Sequence, residues 1–311
     1  MQNLNEIKKR IKSINDISQM TNAMQLVSAA KMRRSMVLHD SVYPFFSLCL
    51  NGMSKIINGS KAINNPFFDI EQKKTGETWK IGYFVLSGDQ GLAGAYNNNM
   101  VKITEEHVQQ KILENSKKGL TTDYKLYVFG KLAREKLTRN GYNVDQEFEF
   151  PITEPTFFQA RNVGSIIRQK FLQNEFDLVY LIYTVMESAT KMVPVVMRLA
   201  PVDKKSMNAL VEAEHVECNL DEVNSEIEYL PNADEVFSFL IETYLNAVIY
   251  GAMVDAYASE QTARLTAMDN ATKNAEEMMK KLELISNRAR QAKITTELTE
   301  IVNGAEQVNN L

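Results

Sequence analysis

Residues 252–303 read AMVDAYASEQTARLTAMDNATKNAEEMMKKLELISNRARQAKITTELTEIVN, a run of 52 residues with no glycine and no proline. A row of apolar or small residues passes through it: Leu265, Met268, Thr272, Ala275, Met279, Leu282 and Ala289. Steps of three and four are the mark of one helix face. With Asn232 or Asp234 as a cap after Pro231, and Gly304 as a stop, the helix would be on the order of 100 Å long at about 1.5 Å per residue. Ordinary globular helices have three or four turns.

A second such stretch opens the chain. In NLNEIKKRIKSINDISQMTNAMQLVSAAKMRRSM (3–36) apolar residues fall at Leu4, Ile7, Ile11, Ile14, Ile17, Met20, Met24 and Val27. Asn3 or Asn5 is a candidate N-cap. The pattern predicts a helix to about Ile57, roughly 80 Å long, with a kink at Pro44, which lacks a backbone donor. Of the 20 glycines and prolines, 18 lie from Pro44 to Pro231. Two breaker-poor arms thus flank a breaker-rich middle, which excludes an all-β fold. A helix of such length needs a partner along its seam, and each arm is the obvious partner of the other in an antiparallel coiled coil. Small residues such as Ser28, Ala29, Ala30, Thr272, Ala275, Ser286 and Ala289 give that seam close approach and smoothness, not a leucine zipper.

The middle alternates. WKIGYFVL (79–86) is apolar on both faces and reads as a buried strand. Helical pattern follows from Met100 to Leu113, then YKLYVFG (124–130, strand), KLAREKLTRN (131–140, helix), TFFQARNVGSIIRQKFLQ (156–173, helix) and FDLVYLIYT (176–184, strand). This order predicts a small parallel α/β sheet. KMVPVVMRLAP (191–201) and SEIEYLP (225–231) would add a hairpin or edge strands, with Pro194 favouring an edge. The turn after the first strand has Gly88, Gly91 and Gly94, a GxxGxxG spacing and not the GxGxxG of dinucleotide sites. It reads as a tight strand-to-helix turn. Asp89 beside it has no evident base or second carboxylate, and no catalytic constellation is visible.

Bulk properties narrow the class further. The net charge is −4, yet the first 35 residues carry +5. With no interleaved aromatics and an acidic remainder, acidic protein surfaces fit that basic arm better than nucleic acid. TYLNAVIYGAMV (243–254) is far too short to cross a bilayer. No signal or transit peptide opens the chain. Cys49 and Cys218 lack metal spacing and suit a reducing compartment, and His39, His107 and His215 form no metal motif. Neither a cofactor nor a metal is expected. Ile294, Leu298, Ile301 and Val302 lie beyond the reach of the first arm, and an exposed apolar end calls for a sheath from another protein.

Several motifs together resemble one family. NAMQLVSAAKMRR (22–34), ASEQTARLTAMDNATKNA (258–275) and RQAKITTELTEIVNGAEQV (290–308) are similar to the N-terminal helix, the C-terminal helix and the C-terminal signature of the gamma subunit of F-type ATP synthases. SGDQGLAGAYN (87–97) is similar to that family's S-D-x-G-L-C-G turn, departing by an extra Gly88 and by Ala93 where cysteine is common. The resemblance spans essentially the whole chain. It implies an α/β fold: a long antiparallel coiled coil of N- and C-terminal helices (1–58 and 231–311) plus a small Rossmann-like α/β domain (77–230).

The resemblance also implies a non-catalytic, central-stalk rotor. It would carry rotation of the membrane c ring, driven by a proton gradient, to the beta subunits of an alpha3beta3 hexamer, with the epsilon subunit as a further partner. The location implied is peripheral, on the cytoplasmic face of a bacterial inner (plasma) membrane, with a mature organellar chain as the alternative. By motif, Arg290 and Gln291 would meet an acidic loop of a beta subunit, where the Arg fork suits carboxylates. Thr295 and Glu297 follow one turn on, Met24 and Lys31 match a stretch of the N-terminal helix, and Ile294, Leu298 and Ile301 would enter an apolar sleeve. Residues 203–228 hold only Cys218, so the internal disulfide of the chloroplast branch is not expected. Two other readings compete on the residues alone: a generic coiled-coil adaptor, and a nucleotide-dependent enzyme.

Overall fold

The computed structural model describes residues 4–59, 66–68, 73–150, 154–188, 191–202 and 233–309. In chain order these form α1 (Leu4–Gly59), β1 (Thr78–Leu86), α2 (Tyr96–Lys117), β2 (Thr121–Phe129), α3 (Lys131–Arg139), α4 (Phe157–Leu172), β3 (Leu178–Ser188), β4 (Lys191–Ala200) and α5 (Ala233–Asn309). The chain separates into two compact units, one of residues 1–29 with 264–311 and the other of residues 30–263.

The first unit is an antiparallel pair made from the start of α1 and the last part of α5. The Thr21 and Thr272 hydroxyls hydrogen-bond at 2.7 Å, and the Gln25 amide donates to Asp269 Oδ1 at 3.2 Å. Numbers rise on one helix as they fall on the other. Extending the register places Ile7 level with Ser286 and Leu4 level with Ala289. On α5 the inward positions are Leu265, Met268, Thr272, Ala275, Met279, Leu282, Ser286 and Ala289, the row expected from the sequence.

On α1 the row departs from the expectation. Leu4, Ile7, Ile11 and Ile14 turn inward, but the positions after them are Ser18, Thr21, Gln25 and Ser28, whereas Ile17, Met20 and Val27 are exposed. The reason is helix geometry. Ile11, Ile14, Ile17 and Met20 are spaced by three successive steps of three, about two and a half turns in all, so the last faces opposite the first. Alternating steps of three and four keep the inner row on one side, and they land on small polar residues. One end signal also fails. Asn5 and Asp234 lie inside their helices, which leaves the alternative caps Asn3 and Asn232, outside the described residues, next to the first helical positions, and α5 passes through the expected stop at Gly304 to Asn309. A glycine costs a helix interior only about 1 kcal/mol, and this one weakens the helix without stopping it.

The second unit holds a four-stranded sheet in the order β2-β1-β3-β4. The first three strands are parallel and β4 runs antiparallel to β3 at the edge, where Pro194 costs no ladder bond on its open side. SEIEYLP lies outside the described residues. Both faces of the sheet are covered. Ile81, Tyr83, Val85, Leu126, Val128, Tyr180 and Ile182 pack with α2 and α3. The alternate residues Phe84, Leu86, Tyr127, Phe129, Val179, Leu181 and Tyr183 pack with α4, with Leu50 and Met53 of α1, and with the Ile241–Ala256 stretch of α5. That two-sided burial is why β1 has no polar alternation. Helix α4 opens on a capping box, with Thr156 and Gln159 each satisfying the other's backbone N–H.

Candidate functional site

In the first unit the end of α5 is the chemically distinctive region. Leu4 stands level with Ala289, so from Arg290 onward no described residue of α1 lies opposite. Every residue from Arg290 to Asn303 is exposed. Ile294 is 48%, Leu298 57%, Ile301 67% and Val302 54% exposed, an apolar stripe on a helix that no described residue of its own unit covers. Thr295, Thr296 and Thr299 donate their hydroxyl protons to the carbonyls of Gln291, Ala292 and Thr295, at 3.0, 2.9 and 2.8 Å. With those protons returned to the helix, the threonines present mainly methyl groups outward.

Charged groups on this stretch divide into two kinds. Glu297 pairs with Lys293 at 3.6 Å, one helix turn away, with both side chains mostly in solvent. An exposed pair of this sort contributes well under 1 kcal/mol and exchanges readily for another partner. The Arg290 guanidinium and the Gln291 carboxamide have no partner among the described residues. They offer an open fork and an adjacent amide to any planar acceptor. Met24 is half-buried on α1, level with Asp269, which is about 30 Å along α5 from Arg290. The register therefore places Met24 and the Arg290–Gln291 pair at different heights of the coiled coil. Lys31 belongs to the second unit, where it is exposed. Ile17, Met20, Leu26 and Val27 are all exposed on α1, and since a half-turn separates Leu26 from Ile17 they ring its outer side and do not form one stripe.

In the second unit the glycine turn has a definite task. Asp89 accepts the Lys131 N–H at 2.9 Å and so caps α3, a pairing across 42 positions that no local spacing marks. Gly130, just before that helix, has φ 81 and lies against the Ser87 carbonyl, a site where no side chain fits. Leu92, at φ 64, is exposed. A methyl group placed on Gly88 would come 2.7 Å from Glu260 Oε1. The turn thus packs against a buried carboxylate of the protein's own α5. A phosphate at this turn would have to displace that side chain. Further along α5, Ser259 donates to the Thr184 carbonyl at 3.3 Å and Tyr96 Oη donates to the Ala256 carbonyl at 3.1 Å. The carboxyl ends of β1 and β3, where open α/β sheets take their ligands, are therefore covered by the chain itself. No group of His, Cys, Asp or Glu among the described residues could hold a metal ion.

The ATP synthase family model matches residues 3–308. A relative from Acetivibrio thermocellus, named ATP synthase gamma chain, is 40% identical over 306 residues, covering 98% of this chain and 99% of its own length. The chain belongs to the ATP synthase gamma chain family. A second gamma chain, from Acetobacterium woodii and named sodium ion specific, is 35% identical and covers 99% of both chains. Among solved structures, a chain of the Euglena gracilis mitochondrial ATP synthase F1/c-ring assembly shares the fold with a TM-score of 0.61 at 16% identity, covering 98% of this chain and 94% of that one. A chain from the Tetrahymena thermophila central stalk and c-ring gives 0.56 at 21% identity, covering 81% and 99%. These likenesses support the same architecture for this gamma chain, a coiled coil of terminal helices with a small α/β domain. Among the described residues no helix is long and apolar enough to cross a membrane.

Proposed function

We propose that this chain is the central-stalk rotor of an ATP synthase, turning inside an alpha3beta3 hexamer and carrying rotation from a membrane c ring to the catalytic beta subunits. In this reading it makes no bond-breaking contact with nucleotide. It imposes asymmetry on the three beta sites as it turns, driven by a proton gradient, with sodium in that place for the Acetobacterium relative. It works at the cytoplasmic face of a bacterial membrane, with epsilon and the c ring as partners of the α/β domain.

The observation that carries the reading is the exposed end of α5. An apolar stripe of Ile294, Leu298, Ile301 and Val302, interleaved with back-bonded threonines, is a surface that needs an apolar sheath. It offers few hydroxyl protons to fix it at one angle in that sheath. Arg290 and Gln291, unpartnered at the near end of the stripe, are the groups for an acidic loop on a beta subunit. Such charge-assisted contacts are strong enough to register a position and can be remade at the next subunit. Thr295 and Glu297 follow them, and Met24 and Lys31 lie on α1 toward the hexamer.

The test is reconstitution of the full chain with alpha and beta subunits. The complex should hydrolyse ATP and rotate a bead attached to this chain, while the chain alone should show no ATPase activity. Arg290→Ala and Gln291→Ala should each lower turnover of the complex several-fold without loosening assembly. A well-folded chain that fails to enter the hexamer would overturn the reading.

A further inference from the structure

The α/β domain holds α5 in two chemically different ways. Over Ile241–Ala256 the contact is mainly apolar, with Ile241, Tyr244, Leu245, Val248, Ile249 and Ala252 in the core beneath the sheet, joined by the Arg168–Glu242 pair at 3.5 Å and the Tyr96 hydroxyl on the Ala256 carbonyl. Apolar burial itself is non-directional, and what resists rotation of the helix here is the close fit of its buried side chains. Over the next two turns the contact is polar and directional. Ser259 and Thr262 are buried, with Ser259 bonded to the Thr184 carbonyl and the Thr262 hydroxyl proton given to the Ala258 carbonyl of its own helix at 2.8 Å. Glu260 is also buried, and its carboxylate lies against Gly88 so closely that a Cβ there would come within 2.7 Å of Oε1 and 3.2 Å of Asn97 Oδ1.

The loop carrying Gly88 is itself braced on three sides. The Gly88 N–H donates to Asn97 Oδ1 at 2.8 Å, which ties the loop to α2. Ser87 donates twice to the Phe129 carbonyl, from N at 3.1 Å and from Oγ at 2.6 Å, which ties it to the end of β2. Asp89 holds the first N–H of α3. A loop so tethered moves with the whole sheet. A glutamate seated against its backbone can therefore transfer a sideways push between the sheet and α5.

We propose that Gly88 and Glu260 form a torsional clamp, in which the missing side chain at Gly88 lets the Glu260 carboxylate seat against the loop and lock the α/β domain to α5 against rotation about the helix axis. The inference rests on the rotor reading for its purpose. It rests on the contact alone for its existence. The extra glycine that distinguishes this turn from the family pattern then has a role, since any larger residue would displace the carboxylate.

Two measurements test it. In the full chain, Gly88→Ala should lower the thermal midpoint by several degrees, and it should cost almost nothing in the Glu260→Ala background, because the atoms it strikes are gone. Additive shifts would overturn the contact. In the reconstituted complex, a bead is attached through Lys102→Cys, an exposed α2 position, in a chain carrying Cys49→Ser and Cys218→Ser. Torsional stiffness is read from angular fluctuations during a stall. Gly88→Val and Glu260→Ala should each lower stiffness at least twofold while bead-free ATP hydrolysis is unchanged. Equal stiffness in an assembled, rotating complex would overturn the clamp. Failure of the unsubstituted chain to assemble would overturn the rotor reading, leaving the thermal cycle to decide on the contact.

Discussion

Replacing Ile294, Leu298 and Ile301 together by serine should weaken docking into an alpha3beta3 hexamer and leave the free chain's own stability almost untouched. Full burial of a leucine or isoleucine side chain is worth about 1.5–3 kcal/mol. Between 48% and 67% of each residue is still open, and the share left for a sheath is about 1–2 kcal/mol per residue, or about 3–5 kcal/mol for the three. Fixing their rotamers on docking costs about 0.5 kcal/mol each. The net loss is then about 3 kcal/mol, a weakening of roughly a hundredfold. Labelled chain titrated with hexamer, and the fraction retained on gel filtration, reads this directly. Free-chain melting is the control, since side chains that pack on nothing in their own unit can be truncated with changes of about 0.5 kcal/mol. Unchanged retention would refute the sheath. A clear fall in the free chain's melting point would show instead that these residues are already used within the chain.

Three further outcomes follow from particular contacts. Thr21→Val or Thr272→Val alone should cost about 1 kcal/mol of coiled-coil stability by breaking the 2.7 Å pair, because the remaining hydroxyl still donates to the Ser18 or Met268 carbonyl of its own helix at 3.0 Å, and the double variant should cost little more in a denaturant melt. Serine at Ile17, Met20 and Val27, all exposed on α1, should leave that melt unchanged but reduce hexamer retention; a loss of stability would mean that they are seam residues after all. His107 stands 3.3 Å from the Tyr83 hydroxyl, and burial, reinforced by Lys111, lowers its pKa from 6.5 to about 4. Its depressed value favours the neutral ring in the folded state. Its contribution is therefore complete above pH 6.5 and is lost as pH falls toward about 4. A pH series of melting points should show this fall in the native chain and a flatter profile in His107→Gln.

How much was legible depended on whether a residue's partner was near in sequence. β1 could be recognised from WKIGYFVL because two-sided burial leaves a continuous apolar run, and Pro194 marked an edge because it lacks a donor. The α5 seam was legible because its spacing keeps to alternating threes and fours. Asp89 was not, because its partner is the N–H of Lys131, reached only once β1 and β2 lie side by side. Glu260 was hidden in the same way, by a contact across 172 positions to Gly88. The exposed end of α5 could be anticipated from apolar residues beyond the first arm's reach, but the back-bonding of Thr295, Thr296 and Thr299 that smooths it appears only in the hydrogen bonds.

The misreading on α1 carries the most physical information. A free-standing coiled coil places its apolar residues inside and its polar ones outside. From Ile17 to Ser28 this one largely does the reverse, with Ser18, Thr21, Gln25 and Ser28 beside a half-buried Met24 in the inner row and Ile17, Met20, Leu26 and Val27 exposed. The inner row can set register through Thr21–Thr272 and Gln25–Asp269, but net hydrogen-bond contributions of about 1 kcal/mol hold two helices together weakly. The outer apolar residues could contribute more only against a surface that the chain does not supply. On the rotor reading proposed above, its helices are patterned for compression from outside, with the same logic as the stripe at Ile294, Leu298 and Ile301. A seam of small polar groups lets two helices approach closely in register, and an apolar exterior gives a surrounding partner something to grip without directional bonds. A coiled coil built to be stable alone would have the opposite arrangement and would meet a sheath with a charged, well-hydrated surface, where every angular step would break specific contacts.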